Sequence, residues 1–351
     1  MDNPFNLSFG KKPVQYISRL SQTQKLVDRL DSSTPPSQAY MITGVRGSGK
    51  TVMLTIISSR LEEMGDWIVE EINHPSSDML NSLAAKLCTR PELKKLFVKA
   101  KLNLSIFGID ISVEGAEPIY DPEIAVERMI RVLSESGKKL LITIDEVAKT
   151  REVKLFCGSF QTFIRKDLPI FLLMTGLYEN LYNLQNDKSL TFLYRAPKVY
   201  LEPLNFTVIK KSYKDLFDLD DDEAADMALL TKGYPFAYQA LGYIRWENKE
   251  ISHDDMLEEY DRYLDEFVYE KIWHELTEVE QQILVTIVKN CNGNVKDIRE
   301  CLNMSSQKFS VYRDRLKKKS IIDTANYGKV GFLLPRFDVY IENHIGLDYI
   351  T

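Results

Sequence analysis

Two short stretches of this chain carry most of the chemistry its residues can do. The first is Gly44–Thr51, GVRGSGKT, which fits GxxxxGK[ST] at every fixed position. Glycines at this spacing let successive backbone N–H groups turn inward around an anion. A helix that follows points its positive dipole end at the same place. Lys50 would supply a point charge to the outer phosphates, and Thr51 a hydroxyl to Mg²⁺. The expected phosphate-contacting run is Gly44, Val45, Arg46, Gly47, Ser48, Gly49, Lys50, Thr51 and Val52. The second stretch is LLITIDE, Leu140–Glu146. Its apolar run predicts a buried strand, and its acids emerge at the carboxyl end, where open α/β sheets bind ligands. Asp145 is suited to hold Mg²⁺ through water, and Glu146 to orient or deprotonate an attacking water.

These residues need a scaffold, and residues 40–200 supply its pattern. Strand-like apolar runs alternate with helix-like segments, the mark of an α/β fold with a parallel sheet. The expected strands are Tyr40–Thr43, Trp67–Asn73, Leu140–Asp145, Ile170–Gly176 and Val199–Leu204. Helices are expected over Thr51–Met64 and Pro122–Ser136. Leu102–Val113 alternates apolar and polar residues about Gly108, which predicts a β-hairpin, read as a sheet extension or as a contact for DNA or a partner. From about Phe206 to Tyr269 the pattern turns helical and acidic. Asp218–Met227 begins a helix with acids in its first turn. Thr277 with Glu280 forms a capping box for the next.

The end of the chain predicts three helices and a β-hairpin: Thr277–Lys289, Val295–Leu302, Ser305–Lys319, then Ile321–Asp323 and Gly331–Leu334 about the turn ANYGKVG. This order is a winged helix-turn-helix pattern. The third helix carries Lys308, Arg313, Arg315, Lys317, Lys318 and Lys319 against one acid, Asp314. Lys308, Arg313, Arg315 and Lys317, with Lys329 at the wing tip, are the candidate DNA-binding residues, positioned to neutralise phosphates. Ser306, Gln307 and Ser310 are placed to meet base edges. The other reading is a solvated helix end on a module that docks protein.

Composition sets bounds on this. The chain has 351 residues, 44% hydrophobic and 27% charged, with a net charge of −6. That length predicts two or three domains. The charge is uneven: residues 201–270 hold 7 basic against 18 acidic side chains, and residues 271–351 hold 12 against 10. Global acidity therefore does not exclude nucleic-acid binding, which depends on local patches. No apolar stretch reaches the ~20 residues of a membrane span. The N-terminus lacks the pattern of a secretory signal. Cys88, Cys157, Cys291 and Cys301 are scattered without a CxxC pair, which predicts a reduced, cytoplasmic protein. Histidines 74, 253, 274 and 344 show no metal-ligand spacing.

Taken together, the chain resembles the P-loop ATPases of the AAA+ superclass, in the overlap between the origin-recognition/initiator clade and the STAND clade. YISRLSQTQKL around Arg19 is similar to the family's N-terminal box, and Ile72–His74 to its Asn-ended second strand. Met174–Gly176 looks like the sensor strand, with Thr175 watching the γ-phosphate. LYRAPKVYLEPL puts Arg195 where such families keep an arginine finger, which would complete a neighbour's site in a homo-oligomer. Gly233–Pro235, GYP, resembles the GxP of the helical lid, whose proline packs on adenine. Two features depart from the pattern. Neither lid arginine, Arg245 or Arg262, sits in a matching motif, and no repeat array follows the lid.

The resemblance implies a P-loop NTPase core over residues 1–204, an α-helical lid over 205–272 and a winged helix over 273–351. It implies ATP and Mg²⁺ as cofactors, bound between core and lid, with Lys50, Glu146, Thr175 and Arg195 catalytic, Thr51 and Asp145 on the metal, and Pro235 on the base. Two function classes follow: an ATP-switched protein that binds duplex DNA, or a STAND-like signalling or defence ATPase whose winged helix docks a protein.

Overall fold

A computed structural model describes residues 2–8, 13–73, 78–105, 117–289 and 293–344. The chain divides into two compact units. One comprises Leu20–Thr43 and Lys50–Tyr200; the other comprises Met1–Arg19, Gly44–Gly49 and Leu201–Thr351.

The first unit is a five-stranded parallel sheet in the order β2-β3-β4-β1-β5. The strands are β1 (Ala39–Thr43), β2 (Trp67–Glu71), β3 (Lys139–Ile144), β4 (Ile170–Gly176) and β5 (Lys198–Tyr200). Parallel strands are covered on both faces, so their side chains read as near-continuous apolar runs. β1 and β4 are buried at every residue and β3 at all but its first. The helices are α1 (Leu20–Asp31), α2 (Lys50–Glu63), α3 (Met79–Thr89), α4 (Pro91–Lys99), α5 (Pro122–Glu135), α6 (Arg151–Arg165), α7 (Tyr178–Gln185) and α8 (Thr191–Tyr194). Local chemistry sets their starts. Asp121 caps α5 through Glu123 N and Ile124 N with Pro122 at the first position, and Thr150 caps α6 through Val153 N. One core joins the sheet to these helices through Leu83, Phe97, Met129, Leu140, Phe160 and Leu172.

Register matters for the site. β4 pairs with β1 on one side (Ile42 opposite Thr175) and with β3 on the other (Ile144 opposite Met174). Thr175, at the end of β4, therefore lies next to the residue that follows β3, Asp145.

Two strand expectations need correction. β5 stops at Tyr200 instead of reaching Leu204, and β2 stops at Glu71, so Asn73 is an exposed residue beyond the strand. The Leu102–Val113 hairpin falls mostly outside the described residues. Its described part makes an isolated bridge from Asn103 to Pro118.

The second unit is helical. It contains α9 (Phe206–Phe217), α10 (Asp221–Leu230), α11 (Pro235–Glu247) and α12 (His253–Leu264), then a π-helical turn (Asp265–Tyr269) running without a break into α13 (Glu270–His274). α14 (Glu278–Lys289), α15 (Val295–Cys301) and α16 (Ser306–Lys318) follow, then an antiparallel pair of β6 (Ile322–Asp323) and β7 (Gly331–Phe332), and α17 (Phe337–His344). Asp220 and Glu223 form a capping box at α10. Thr277 and Glu280 form the expected one at α14, with Thr277 N donating to Glu280 Oε2 at 2.9 Å. The helix–helix–helix–hairpin order is as the sequence predicts; the π turn and α17 were not anticipated.

The N-terminal strip belongs to this helical unit. Phe5 is buried and stacks on Phe217 at 5.9 Å, and a Cβ added at Gly242 would meet its ring at 2.3 Å. α11 thus needs a glycine there to admit the ring. Asn6 N donates to Gln239 Oε1 at 3.0 Å, and Gln239 Nε2 to Gln15 O at 2.7 Å.

The π turn is held by the segment just before and within α17. The Arg336 guanidinium pairs with both carboxylate oxygens of Asp261, the Tyr269 hydroxyl donates to Pro335 O, and Tyr269 meets the Phe337 ring edge-on at 4.9 Å. Among the described residues no helix is long and apolar enough to cross a membrane.

Candidate nucleotide site

In the first unit, three elements bring oxygen atoms together. Thr51, in the first turn of α2, donates through Oγ1 to Asp145 Oδ2 at 2.7 Å. Thr175, wholly buried, donates to Asp145 Oδ1. Glu146 N donates to Asp145 Oδ1 at 3.0 Å and to Thr175 Oγ1 at 3.1 Å, and Val147 N to Thr175 O at 2.8 Å. The strand ends are thus tied into one network. Glu146 is exposed and adopts φ 49°, a left-handed conformation that a non-glycine residue holds at a cost of order 1–3 kcal/mol. The backbone bonds on either side hold it there.

Thr51 Oγ1 and Asp145 Oδ2 are hard oxygen donors of the kind Mg²⁺ selects, one neutral and one anionic, so they fit the metal the sequence implies. Lys50 is 7% exposed at the start of α2.

In the second unit, the loop has the backbone of an anion cradle. Gly47 has φ +68° and Gly49 φ +84°, both in the region that favours glycine. A Cβ at Gly44 would come within 2.5 Å of Ser48 Oγ. That hydroxyl is buried without a hydrogen-bond partner among the described residues, as expected of a donor awaiting an oxyanion.

The GYP segment packs against the same loop. Gly233, at φ +73°, leaves no room for a Cβ, which would meet Leu204 O at 2.7 Å. Pro235 opens α11, with its ring 3.9 Å from the Cβ position of Gly49. The Tyr234 hydroxyl donates to Arg46 O, and Phe236 N to Gly47 O at 3.2 Å.

Three residues absent from the expected site also reach the loop. A terminal nitrogen of Arg19 lies 3.3 Å from the Cβ position of Gly49, while its Nε donates to Glu202 O at 2.7 Å. Burial pulls its guanidinium down to about 10, and the charge of Glu202 opposes that shift. The N-terminal box pointed to Arg19, but not to phosphate. Glu275, at the end of α13, pairs with Arg46 at 2.6 Å. Tyr234 is the third. Tyr234 lies in the GYP segment, which was read for its glycine and proline, and nothing in the sequence marked Glu275.

Arg195 is exposed at the end of α8 and is not among the residues of the Asp145 network. Lys308, Lys317 and Lys329 are exposed and Arg313 half-buried; the Arg315 guanidinium lies 5.5 Å from the Tyr312 ring centre. Lys319 behaves differently from the expected solvated helix end: it turns inward and pairs with the fully buried Glu280 at 2.9 Å. Lys318 pairs with Asp314 at 2.7 Å.

Comparisons with known proteins agree with the fold. Residues 19–155 match the family model described as the KAP family P-loop domain, and residues 266–341 match a domain of unknown function, DUF8462. The structure is similar to the Walker-type ATPase PABY2304 of Pyrococcus abyssi, with a TM-score of 0.62 and 17% identity over 92% of this chain and 95% of that one. It is similar to the Aeropyrum pernix ORC2 protein, solved as ADPNP–ADP complexes, with a TM-score of 0.58 and 13% identity over 96% of each chain. No curated protein sequence matches significantly. The fold is that of a P-loop NTPase, shared with these two structures.

Proposed function

We propose that this protein binds and hydrolyses ATP with Mg²⁺ and uses the nucleotide as a switch for duplex-DNA binding. One observation carries the nucleotide reading: Thr51, Asp145, Glu146 and Thr175, from three separate elements, are joined by hydrogen bonds at the end of the sheet. The similar ORC2 structure, solved as ADPNP–ADP complexes, supports adenine as the base. Lys50 and the amides of Gly44 to Val52 bind phosphates, Thr51 and Asp145 hold Mg²⁺, Glu146 activates water and Thr175 senses the γ-phosphate. Pro235 packs on the base. The working division is a core over 1–204, a lid over 205–272 and a winged helix over 273–351, in a cytoplasmic protein.

Duplex DNA is the proposed partner because α16 presents Lys308, Arg313, Arg315 and Lys317, with Lys329 exposed between β6 and β7. The test is binding of labelled duplex across a salt series, with and without ATP–Mg²⁺, for wild type and Lys50→Ala. Tight, salt-sensitive binding that requires ATP and is lost in the variant supports the reading. Each of Lys308→Ala, Arg313→Ala, Arg315→Ala, Lys317→Ala and Lys329→Ala should then lower the salt slope by about 1.

Absence of DNA binding in every nucleotide state favours the second reading, a signalling ATPase whose winged helix docks a protein. Val311 on α16 and Tyr327 in the β6–β7 turn, 57% and 105% exposed, suit that alternative. Arg195 is proposed as a finger for a neighbouring copy's nucleotide. Unchanged turnover of Arg195→Ala at high protein concentration removes that part.

A further inference from the structure

The two lid contacts on the phosphate loop both end on carbonyl oxygens. The Tyr234 hydroxyl donates to Arg46 O, and Phe236 N to Gly47 O at 3.2 Å. A trans peptide is planar, so its carbonyl and the next N–H point in opposite directions. Holding Arg46 O toward Tyr234 therefore turns Gly47 N–H the other way, while Ser48 N–H closes a turn within the loop by donating to Val45 O at 3.2 Å. Gly47 N–H is one of the amides of the GxxxxGK cradle, which must face inward to bind an anion. The Gly47–Ser48 region is soft by composition, since glycine populates positive and negative φ with similar ease. Something outside the loop must select the inward orientation.

Resting on the nucleotide reading above, we infer that Tyr234 is a positioning residue: its hydroxyl, bound to Arg46 O, sets the inward orientation of the phosphate-binding amides and so sets affinity for the nucleotide's phosphates.

Three further observations fit. Tyr234 is 6% exposed, so its hydroxyl is shielded from competing water. Burial pushes its phenol far above the usual range, so it stays protonated and can only donate to a carbonyl that only accepts. Gly47 is also matched to this tyrosine: a Cβ there would come within 2.4 Å of the hydroxyl. Arg46 is held at its other end as well, with Glu275 accepting from Nε at 2.7 Å, so the residue whose carbonyl is pinned cannot swing freely.

The test compares wild type, Tyr234→Phe and Lys50→Ala by three measurements: melting temperature without nucleotide, hydrogen exchange of the loop amides without nucleotide, and ADP affinity by calorimetry. Tyr234→Phe keeps the ring and loses one hydrogen bond, so it should lower the melting temperature by only a few degrees. It should speed exchange at Gly47 and Ser48 and weaken ADP binding about tenfold, as loss of a buried hydrogen bond of order 1–3 kcal/mol implies. Lys50→Ala should lose ADP while keeping wild-type exchange in the loop. ADP affinity in Tyr234→Phe equal to wild type overturns the inference alone. So does weaker ADP binding with unchanged loop exchange, because the tyrosine then acts by another route. A wild-type protein that does not bind ADP overturns the nucleotide reading, and the inference with it.

Discussion

Thr51 Oγ1 and Asp145 Oδ2 lie 2.7 Å apart, joining the first turn of α2 to the end of β3. A cation held by both oxygens must replace the hydrogen bond between them, so metal affinity should depend on each. Thr51→Ala and Asp145→Asn should weaken Mg²⁺-dependent nucleotide binding by roughly 10- to 100-fold. The measurement is the rise in melting temperature with ATP–Mg²⁺ against ATP with a chelator, which reports affinity by mass action. A Mg²⁺-dependent rise as large as that of wild type in Asp145→Asn would rule this assignment out.

Glu146 and Thr175 should separate binding from turnover. Glu146 is exposed and joins the network through its backbone N–H, which Glu146→Gln keeps, so that variant should bind ATP normally and lose about 10²–10⁴-fold in turnover. Thr175→Val removes one of the two acceptors of Glu146 N and one donor to Asp145, at about 1 kcal/mol for each hydrogen bond lost. That variant should lose stability as well as activity. A single-turnover assay beside a melting curve distinguishes the two patterns.

The Lys319–Glu280 pair makes a prediction about stability and none about DNA. Glu280 is 0% exposed and also accepts from Thr277 N and Oγ1. Lys319→Met strands a buried carboxylate and should cost about 3–5 kcal/mol. Glu280→Gln with Lys319→Met should recover much of that loss, since neither charge then remains. Denaturant titration of the two variants checks this, and equal stability of single and double variants would contradict it.

Asp265 predicts how stability varies with pH. Burial is the main cause that raises its carboxyl to about 6, with Asp261 and Glu266 adding to the rise and His344 and Arg336 opposing it. Its usual value is 3.8, so between about pH 4 and pH 6 the folded protein holds a proton that the unfolded chain has released. Stability contributed here is present at low pH and is lost as pH rises through that window. Asp265→Asn lacks this loss. The melting temperature of the variant minus that of wild type should therefore grow from pH 4 to pH 6.5 and then level off. A difference that shrinks over that range would show the carboxyl is not raised.

Much of this molecule was legible in its residues, for physical reasons that differ by element. β4 and α5 were read nearly to the residue because a long apolar run and a Pro-started, Asp-capped helix each have one good solution. The end of β5 was misjudged because VYLEPL is apolar but for Glu202, yet pairing with β1 involves Lys198 to Tyr200 alone. Asp145 and Thr51 follow from spacing, since their chemistry is local to two motifs. Tyr234 and Glu275 could not be found that way: their roles lie in contacts with Arg46, 188 and 229 residues away in sequence. Lys319 was misread because a run of three lysines gives no sign of which one turns inward to meet a carboxylate 39 residues earlier.

The π turn Asp265–Tyr269 makes the helical unit sensitive to its residue count. Each residue of a regular helix advances the chain by about 1.5 Å and a little over a quarter turn, 3.6 residues completing the circle. A wider turn in mid-rod acts as a phase offset between α12 and α13. Deleting one exposed residue there, such as Phe267, would rewind the rod to the ordinary pitch and rotate all that follows by about 100°. Tyr269 would leave Pro335 and Glu275 would leave Arg46, so the alignment of the C-terminal half with the phosphate loop is set by helical phase.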